Sequence, residues 1–230
     1  MDFRLLGPLE VSDGARAVVI GGGKRRSLLA LLLLHGNEVV SADRLIDELW
    51  GEHPPPTAAK GLQVYVSQLR KELQNGSDRD GDVLVTRANG YVLVLGPDDV
   101  DVQRFERSVS AGEHALAAGE PDRAAQRLRQ GLALWRGPPL ADFTYEAFAQ
   151  QEIARLEELR MVALEQRIDA DLALGRHAQA VGELEALVRE HPRDAGIGAA
   201  AMLAVVLLGA GAGMVGMHLR RARRFTATTR

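Results

Sequence analysis

The chain has 230 residues, enough for two domains of ordinary size, each with a core of its own. It contains no cysteine, which excludes a disulfide scaffold and any zinc site built from thiolates. The net charge is −3, but residues 1–96 carry 11 basic and 12 acidic side chains, residues 97–194 carry 12 and 19, and residues 195–230 carry 5 and 0. The overall charge therefore neither requires nor excludes a nucleic-acid partner.

The first predicted elements are a β-hairpin and a helix. Residues 3–11 and 17–20 are short apolar runs separated by the turn-forming triplet SDG. Helical spacing then covers residues 24–35 and stops at a Gly-Asn pair, which tolerates the left-handed conformation of a helix end. No basic run followed by a long apolar segment opens the chain, so we expect no secretory signal and a cytoplasmic location.

Two more helices are predicted before the chain returns to strands. Ser41 is a suitable N-cap for a helix over residues 42–50, which carries one apolar stripe. After a Gly- and Pro-containing break, a third helix is predicted from Thr57 to about residue 74. Its apolar side chains recur at helical spacing and should face the core: Leu62, Val66, Leu69 and Leu73.

The outer face of this third helix is the candidate surface for reading DNA. It combines cationic side chains with neutral hydrogen-bonding groups of the kind that discriminate base edges. These side chains are Lys60, Arg70 and Lys71 for charge, and Gln63, Ser67 and Gln68 for neutral hydrogen bonding. An ordinary solvated helix face would look similar, so the helix by itself is a weak signal.

A second predicted hairpin strengthens the DNA-binding interpretation. The segment VLVTRANGYVLVL has two β-branched runs around Asn89-Gly90, a strong hairpin signal. A hairpin directly after a DNA-reading helix can act as a wing, and Arg87, Asn89 and Tyr91 at its tip suit contacts with the backbone or minor groove. A plain edge hairpin is the alternative for this element taken by itself.

Residues 97–194 are predicted to be wholly helical. Helices are expected over residues 102–118, 121–135, 146–174 and 176–190. Aligning Gly119 with Gly175 also aligns the small and apolar positions that follow each glycine. This is a helical hairpin repeated with an offset of 56 residues, similar in design to a tetratricopeptide repeat.

The last 36 residues have a different composition. Residues 195–217 carry no charge and as a helix would be long enough to span a bilayer, and residues 218–230 form a basic tail. The arginines of that tail would place the C-terminus on the inner side, which conflicts with a DNA-reading domain in the cytoplasm. A transmembrane helix and an altered or truncated tail both remain open.

No catalytic, metal or cofactor site is expected. The stretch GGGKRRS suggests a phosphate-binding loop, but it lacks the first glycine of the P-loop pattern and has Arg25 in place of the magnesium-binding hydroxyl. The six histidines are scattered and none has the spacing of a metalloprotease motif. We therefore do not expect an enzyme.

Several segments in combination resemble the Streptomyces antibiotic regulatory protein family. They are FRLLGPLEV, GGGKRRSLLALLLLHGNEVVSADRLIDELWG, LQVYVSQLRKEL and GYVLVL in residues 1–96, with DVQRFERSVSAG and LWRGPPLADF in residues 97–194. The resemblance implies an OmpR-type winged helix-turn-helix domain over residues 1–96. It also implies part of an all-α, tetratricopeptide-like bacterial transcriptional activator domain over residues 97–194. The expected fold class is mainly α with small β-sheets.

The resemblance also implies a function and an interface. Proteins of this family bind direct repeats in double-stranded DNA upstream of promoters and recruit RNA polymerase, and the tandem sites imply self-association on DNA. The implied DNA-binding residues are Lys24, Arg25, Thr57, Lys60, Gln63, Val64, Ser67, Arg70, Lys71, Arg87 and Tyr91, to which the wing geometry adds Asn89. We thus expect a sequence-specific transcriptional activator, located in the cytoplasm and tethered to the inner face of the membrane if residues 195–217 span it.

A second hypothesis comes from a different class. Tetratricopeptide-like units stack into concave surfaces that bind peptides or partner domains, so the chain could be a protein-interaction scaffold without DNA binding. Salt separates the two hypotheses. A DNA-binding protein releases counterions and loses affinity steeply as salt rises, whereas a scaffold should not bind duplex DNA.

Overall fold

The computed structural model describes residues 1–74 and 83–176. Within them, short strands alternate with helices up to residue 93 and helices dominate afterwards, so the predicted mainly α fold class with small sheets is confirmed. The elements are β1 (Asp2–Arg4), β2 (Glu10–Asp13), β3 (Arg16–Ala17), α1 (Gly23–Leu34), β4 (Val40–Ser41), α2 (Ala42–Trp50), α3 (Ala58–Gln74), β5 (Leu84–Arg87), β6 (Gly90–Leu93), α4 (Asp101–Ala117), α5 (Pro121–Leu132), a 3-10 turn (Ala141–Phe143) and α6 (Ala147–Ala173).

The strands form two small antiparallel sheets. The first has the order β1-β2-β3, and the second has the order β4-β6-β5. In the second sheet β5 and β6 are the predicted hairpin, and β4, which the sequence did not predict, pairs with β6 through Val40 and Tyr91. Ser41 ends β4 and caps α2 as predicted, because its Oγ accepts the Arg44 N–H at 3.2 Å.

The prediction of one strand over residues 3–11 is wrong. The run divides into β1 and β2, separated by residues 5–9, which we call the N-terminal loop. Gly7 has φ of 150° and the following Pro8 has no N–H, so the middle of the run cannot continue a strand ladder. The predicted second strand, residues 17–20, is also displaced, since β3 is Arg16–Ala17.

The second hairpin is confirmed, but its turn lies one residue earlier than the Asn-Gly signal indicates. Arg87 pairs with Gly90, so the turn residues are Ala88 and Asn89. Gly90 belongs to β6, where a Cβ atom would overlap the carbonyl group of Val40 in β4. The glycine is required by the close approach of two strands rather than by the turn.

The core beneath the second sheet is built from the three helices that precede it. α1 buries a continuous run of apolar side chains from Leu28 to Leu33, and α2 buries Leu45 and Leu49. On α3, the four side chains predicted to face the core are all buried, with exposed fractions of 2% or less. Because each buried leucine contributes roughly 2 kcal/mol, this core determines which side of α3 remains outside.

The N-terminal loop is held by residues from the helical part of the chain. The Asp101 carboxylate accepts the N–H groups of Leu5 and Leu6 at 2.8 and 3.0 Å. The Leu9 N–H donates to Asp142 at 2.7 Å. Burial raises the pKa of Asp101, and the two loop N–H groups and the Arg136 guanidinium partly offset this. Residues 1–108 and 130–160 accordingly form one compact unit.

The other compact unit comprises residues 109–129 and 161–230, of which 109–129 and 161–176 are described. Its core is made of small side chains, Ala115, Ala124, Ala125 and Ala170, which allow close packing of helices. The buried Asp171 pairs with Arg129 and, at 3.1 Å, with Arg176. Gly119 and Gly175, predicted to end helices, both adopt positive φ, at 73° and 74°.

Three predicted segments lie outside the described residues. They are the last helix of the repeat beyond residue 176, the apolar segment 195–217 and the basic tail 218–230. Across residues 1–74 and 83–176, no helix combines the length and the apolar character needed to cross a bilayer.

Candidate nucleic-acid interface

The exposed face of α3 carries five of the predicted DNA-binding residues in one line. We call this line the recognition stripe: Lys60, Gln63, Val64, Ser67 and Lys71, all of them exposed. At 3.6 residues per turn they lie within an arc of about 100° on the side opposite the buried leucines. Two cations, an amide, a hydroxyl and one apolar side chain therefore face outward together. This combination can contact both phosphates and base edges.

α3 is held against α2 by aromatic packing that the sequence analysis missed. The rings of Trp50 and Tyr65 stack with centroids 6.0 Å apart and an interplanar angle of 12°. Gly61 lies next to the Trp50 ring, since a Cβ atom there would come within 3.5 Å of it. Trp50 and Tyr65 border the apolar stripes of their helices, which is the signal in the sequence that could have indicated the contact.

The structure places the predicted contacts at the start of α1 beside internal partners. The Lys24 ammonium donates to the carbonyl of Leu49 in the last turn of α2. Arg25 forms an ion pair with Glu72 of α3 at 2.5 Å, and the same carboxylate lies 3.4 Å from the Gly21 N–H. These bonds join α1 to α2 and α3. A role of Lys24 and Arg25 in binding phosphate stays a prediction.

Arg70 lies beside the recognition stripe rather than within it. Its Nε donates to the Leu84 carbonyl at 2.7 Å, and its Nη2 donates to Thr86 Oγ1 at 2.6 Å. Both acceptors belong to β5, the first strand of the wing. Arg70 therefore connects the helix to the wing in this structure, a contact that no local pattern in the sequence indicates.

The tip of the wing is exposed. Arg87 and Asn89 both have exposed side chains, while Tyr91 is half-buried and pairs with Thr86 of the neighbouring strand. At the other end of the interface, Thr57 is exposed and precedes α3 by one residue. No group of three or more potential metal ligands occurs within the described parts of the chain.

These elements define a class of protein. A helix pair, α2 and α3, is followed directly by a β-hairpin, and the second helix turns a polar stripe outward. This is the arrangement of a winged helix-turn-helix domain of DNA-binding transcriptional regulators.

Comparison with known proteins identifies the family. Residues 17–93 match the family described as "Transcriptional regulatory protein, C terminal", and residues 100–225 match "Bacterial transcriptional activator domain". The second match extends past residue 194, where the sequence analysis placed the end of that domain, and includes the apolar segment. The chain belongs to the Streptomyces antibiotic regulatory protein family, and it is a DNA-binding transcriptional regulator.

Individual relatives are similar over most of this chain. Regulatory protein DnrI of Streptomyces peucetius is 40% identical over 210 residues, which cover 89% of this chain and 77% of DnrI. Transcriptional regulatory protein EmbR of Mycobacterium tuberculosis is 38% identical over 192 residues, 84% of this chain but 50% of EmbR. The structure of EmbR in complex with a low-affinity phosphopeptide has a TM-score of 0.83 at 36% identity, covering 88% of this chain and 54% of that one.

Proposed function

We propose that this regulator is an activator that binds direct repeats upstream of promoters and that it reads them with the recognition stripe and the wing. The observation that carries the proposal is the division of α3 into a buried leucine face and an exposed cationic and amide face. A side chain can donate to a base edge only if the fold leaves it outside, and the five stripe residues meet this condition.

The chemistry of each stripe residue suggests its part. Lys60 and Lys71 are about three turns apart, so they can neutralise phosphates toward either end of α3. Gln63 can bond an adenine edge through both of its amide atoms, and Ser67 can donate or accept. The wing would add contacts from Arg87 and Asn89 to the backbone or the minor groove.

The activating half of the proposal concerns the helical region. That region matches a bacterial transcriptional activator domain, which supports a contact with RNA polymerase once the regulator is bound beside a promoter. Binding to adjacent repeats would bring two copies into contact on the DNA. Because such a protein acts on chromosomal DNA, we propose that it is located in the cytoplasm.

Fluorescence anisotropy with the full chain and duplexes tiled across the DNA upstream of its own gene and neighbouring genes tests the proposal. We expect one tile to bind tightly, with affinity that falls steeply as salt rises. Lys60→Ala combined with Lys71→Ala should lower the slope of log affinity against log salt by about two, because two phosphate contacts are lost. Arg123→Ala, which removes an exposed cation of α5, is the matched control and should change neither quantity.

Two results would contradict the proposal. One is equal binding of every tile, and the other is equal binding by the double variant and the control. Footprinting then tests the repeats. Inserting about five base pairs between two protected sites, half a turn of DNA, should weaken joint occupancy if two copies touch. A chain that binds no duplex but captures a protein partner would favour the scaffold hypothesis.

A further inference from the structure

We propose that Arg70 is a positioning residue, which sets the wing against α3 and acts on DNA through the wing instead of touching a phosphate. The role rests on the proposed DNA binding, although its structural half can be tested without DNA. The observation behind it is that both hydrogen bonds described for its guanidinium end on β5, at Leu84 and Thr86.

The edge position of β5 explains why its carbonyl is available. β5 is the outer strand of the sheet β4-β6-β5, so one side of its backbone has no partner strand. The Val83 carbonyl accepts the Val94 N–H across the hairpin. Because backbone groups alternate in direction along an antiparallel strand, the next carbonyl, that of Leu84, points to the open edge. Arg70 satisfies this edge carbonyl and thereby ties the edge strand to α3.

The geometry also determines what the bond can control. Thr86 is one residue before Arg87, and Arg87 opens the tip of the wing. A guanidinium bonded to both the backbone and the side chain of β5 restrains this strand in position and in angle up to the residue before the tip. A shift of β5 would therefore move Arg87 and Asn89, which are exposed at the tip. An Arg70 engaged in this way has fewer donors left for a phosphate.

The structural half is tested by hydrogen exchange of the DNA-free full chain. Arg70→Ala should speed exchange of peptides covering residues 83–93 and leave those of α1 unchanged. Arg70→Lys should be intermediate, because an ammonium lacks the fixed fork that reaches both acceptors. The neighbouring Lys71→Ala is the matched control and should leave the wing unchanged. Unaltered exchange of residues 83–93 in Arg70→Ala would overturn the proposal, whether or not any DNA is bound.

The functional half is tested by double-mutant cycles on operator affinity. Arg70→Ala should weaken binding by a factor of about ten, as expected for the loss of charge-assisted hydrogen bonds. The loss caused by Arg87→Ala should shrink to less than about twofold in the Arg70→Ala background, whereas the loss caused by Lys60→Ala should be unchanged. Fully additive losses for Arg70 and Arg87 would indicate a direct phosphate contact and overturn the positioning role.

Variants of Thr86 separate positioning from general damage to the fold. Thr86→Val keeps the shape of the side chain but removes one acceptor of Arg70, and it should reproduce part of the Arg70→Ala loss. Thr86→Ser keeps the hydroxyl and should bind as the wild type does. If the wild type binds no duplex, the proposed function fails, but hydrogen exchange of residues 83–93 still tests whether Arg70 holds the wing against α3. Equal losses for Thr86→Val and Thr86→Ser would count against the positioning role.

Discussion

The recognition stripe and the N-terminal loop use polar groups in opposite ways. The stripe leaves its two cations, its amide and its hydroxyl exposed on a helix whose other face is buried. In the loop, by contrast, the backbone N–H groups of Leu5 and Leu6 are buried and satisfied by one carboxylate, that of Asp101. A polar group is free to bind a partner only where the fold does not depend on it. Changes in the stripe should therefore affect binding, and changes around the loop should affect folding.

The largest effect is expected for Asp101→Ala. This change leaves two buried N–H groups without their acceptor and removes a carboxylate that lies 3.8 Å from the Arg136 guanidinium. Because the uncompensated groups stay buried, we expect a loss of about 3 to 5 kcal/mol in the free energy of unfolding, measured by urea denaturation.

A matched control for this variant is Asp98→Ala. Asp98 also pairs with an arginine, Arg107, but its side chain is 79% exposed. Surface pairs of this kind contribute little, so the change should be within about 0.5 kcal/mol. Equal losses in the free energy of unfolding for Asp101→Ala and Asp98→Ala would show that the bonds of the N-terminal loop contribute no more than a surface ion pair.

The next effect concerns the strand that supports the wing. In Gly90→Ala the new methyl group would overlap the Val40 carbonyl, and the backbone of β4 or β6 would have to move. We expect a loss of about 1 to 3 kcal/mol in the free energy of unfolding. Gly23→Ala is the control, because a Cβ atom there meets nothing within 4 Å. Equal stability of the two variants would show that β4 and β6 do not pack as described.

A smaller effect, on binding alone, is expected for Val64→Ala. Val64 is 44% exposed among the polar residues of the stripe, a suitable position for contact with a thymine methyl group. Replacing one operator thymine with deoxyuridine should cost the wild type about 0.8 kcal/mol, roughly fourfold in affinity. Val64→Ala should lose this sensitivity and unfold as the wild type does. A variant that still distinguishes the two bases would exclude Val64 as the reader.

The smallest effect is one of pH on folding, through His35 at the end of α1. Burial holds the pKa of His35 below its usual value of 6.5, and the nearby charge of Arg44 lowers it further. The unfolded chain therefore binds this proton more readily than the folded one. The contribution of neutral His35 to the free energy of unfolding is therefore fully present above about pH 6.5 and is lost as the pH falls below that value. His35→Gln should flatten the decline of the unfolding midpoint between neutral and mildly acidic pH, and an unchanged decline would contradict this.

The predictability of each region follows from how local its interactions are. Helices, their buried leucines and the wing hairpin could be predicted because helical period, caps and turn residues act over a few positions. The break in the strand run at Gly7 and Pro8 had a local signal that the prediction of one strand did not use. The role of Gly90 and the bonds of the N-terminal loop could not be predicted, since each depends on a partner far along the chain. Asp101 lies 95 and 96 residues from the N–H groups it bonds, and Asp142 lies 133 residues from Leu9.

In the candidate site, too, the contacts that depend on residues far along the chain could not be predicted from the sequence. Periodicity predicted Lys60, Gln63, Ser67 and Lys71 on the outward face of α3, and all four are exposed, whereas Arg70, predicted on the same face, is half-buried. It could not separate Arg70, whose guanidinium is bonded to β5, from Lys71, because both have the residue type and spacing of a DNA contact. Only the position of the wing in space distinguishes the two.

The bonding of the N-terminal loop bears on how proteins of this kind can be cut and recombined. Leu5, Leu6 and Leu9 find their partners at Asp101 and Asp142, both of which lie beyond the wing. A chimaera joined at residue 96, with the winged helix-turn-helix domain from one protein and the helical region from another, would separate these leucines from their native acceptors. Exchanges that keep residues 1–108 and 130–160 from one parent preserve these bonds. DNA-binding specificity should therefore be transferred best when this whole unit is exchanged.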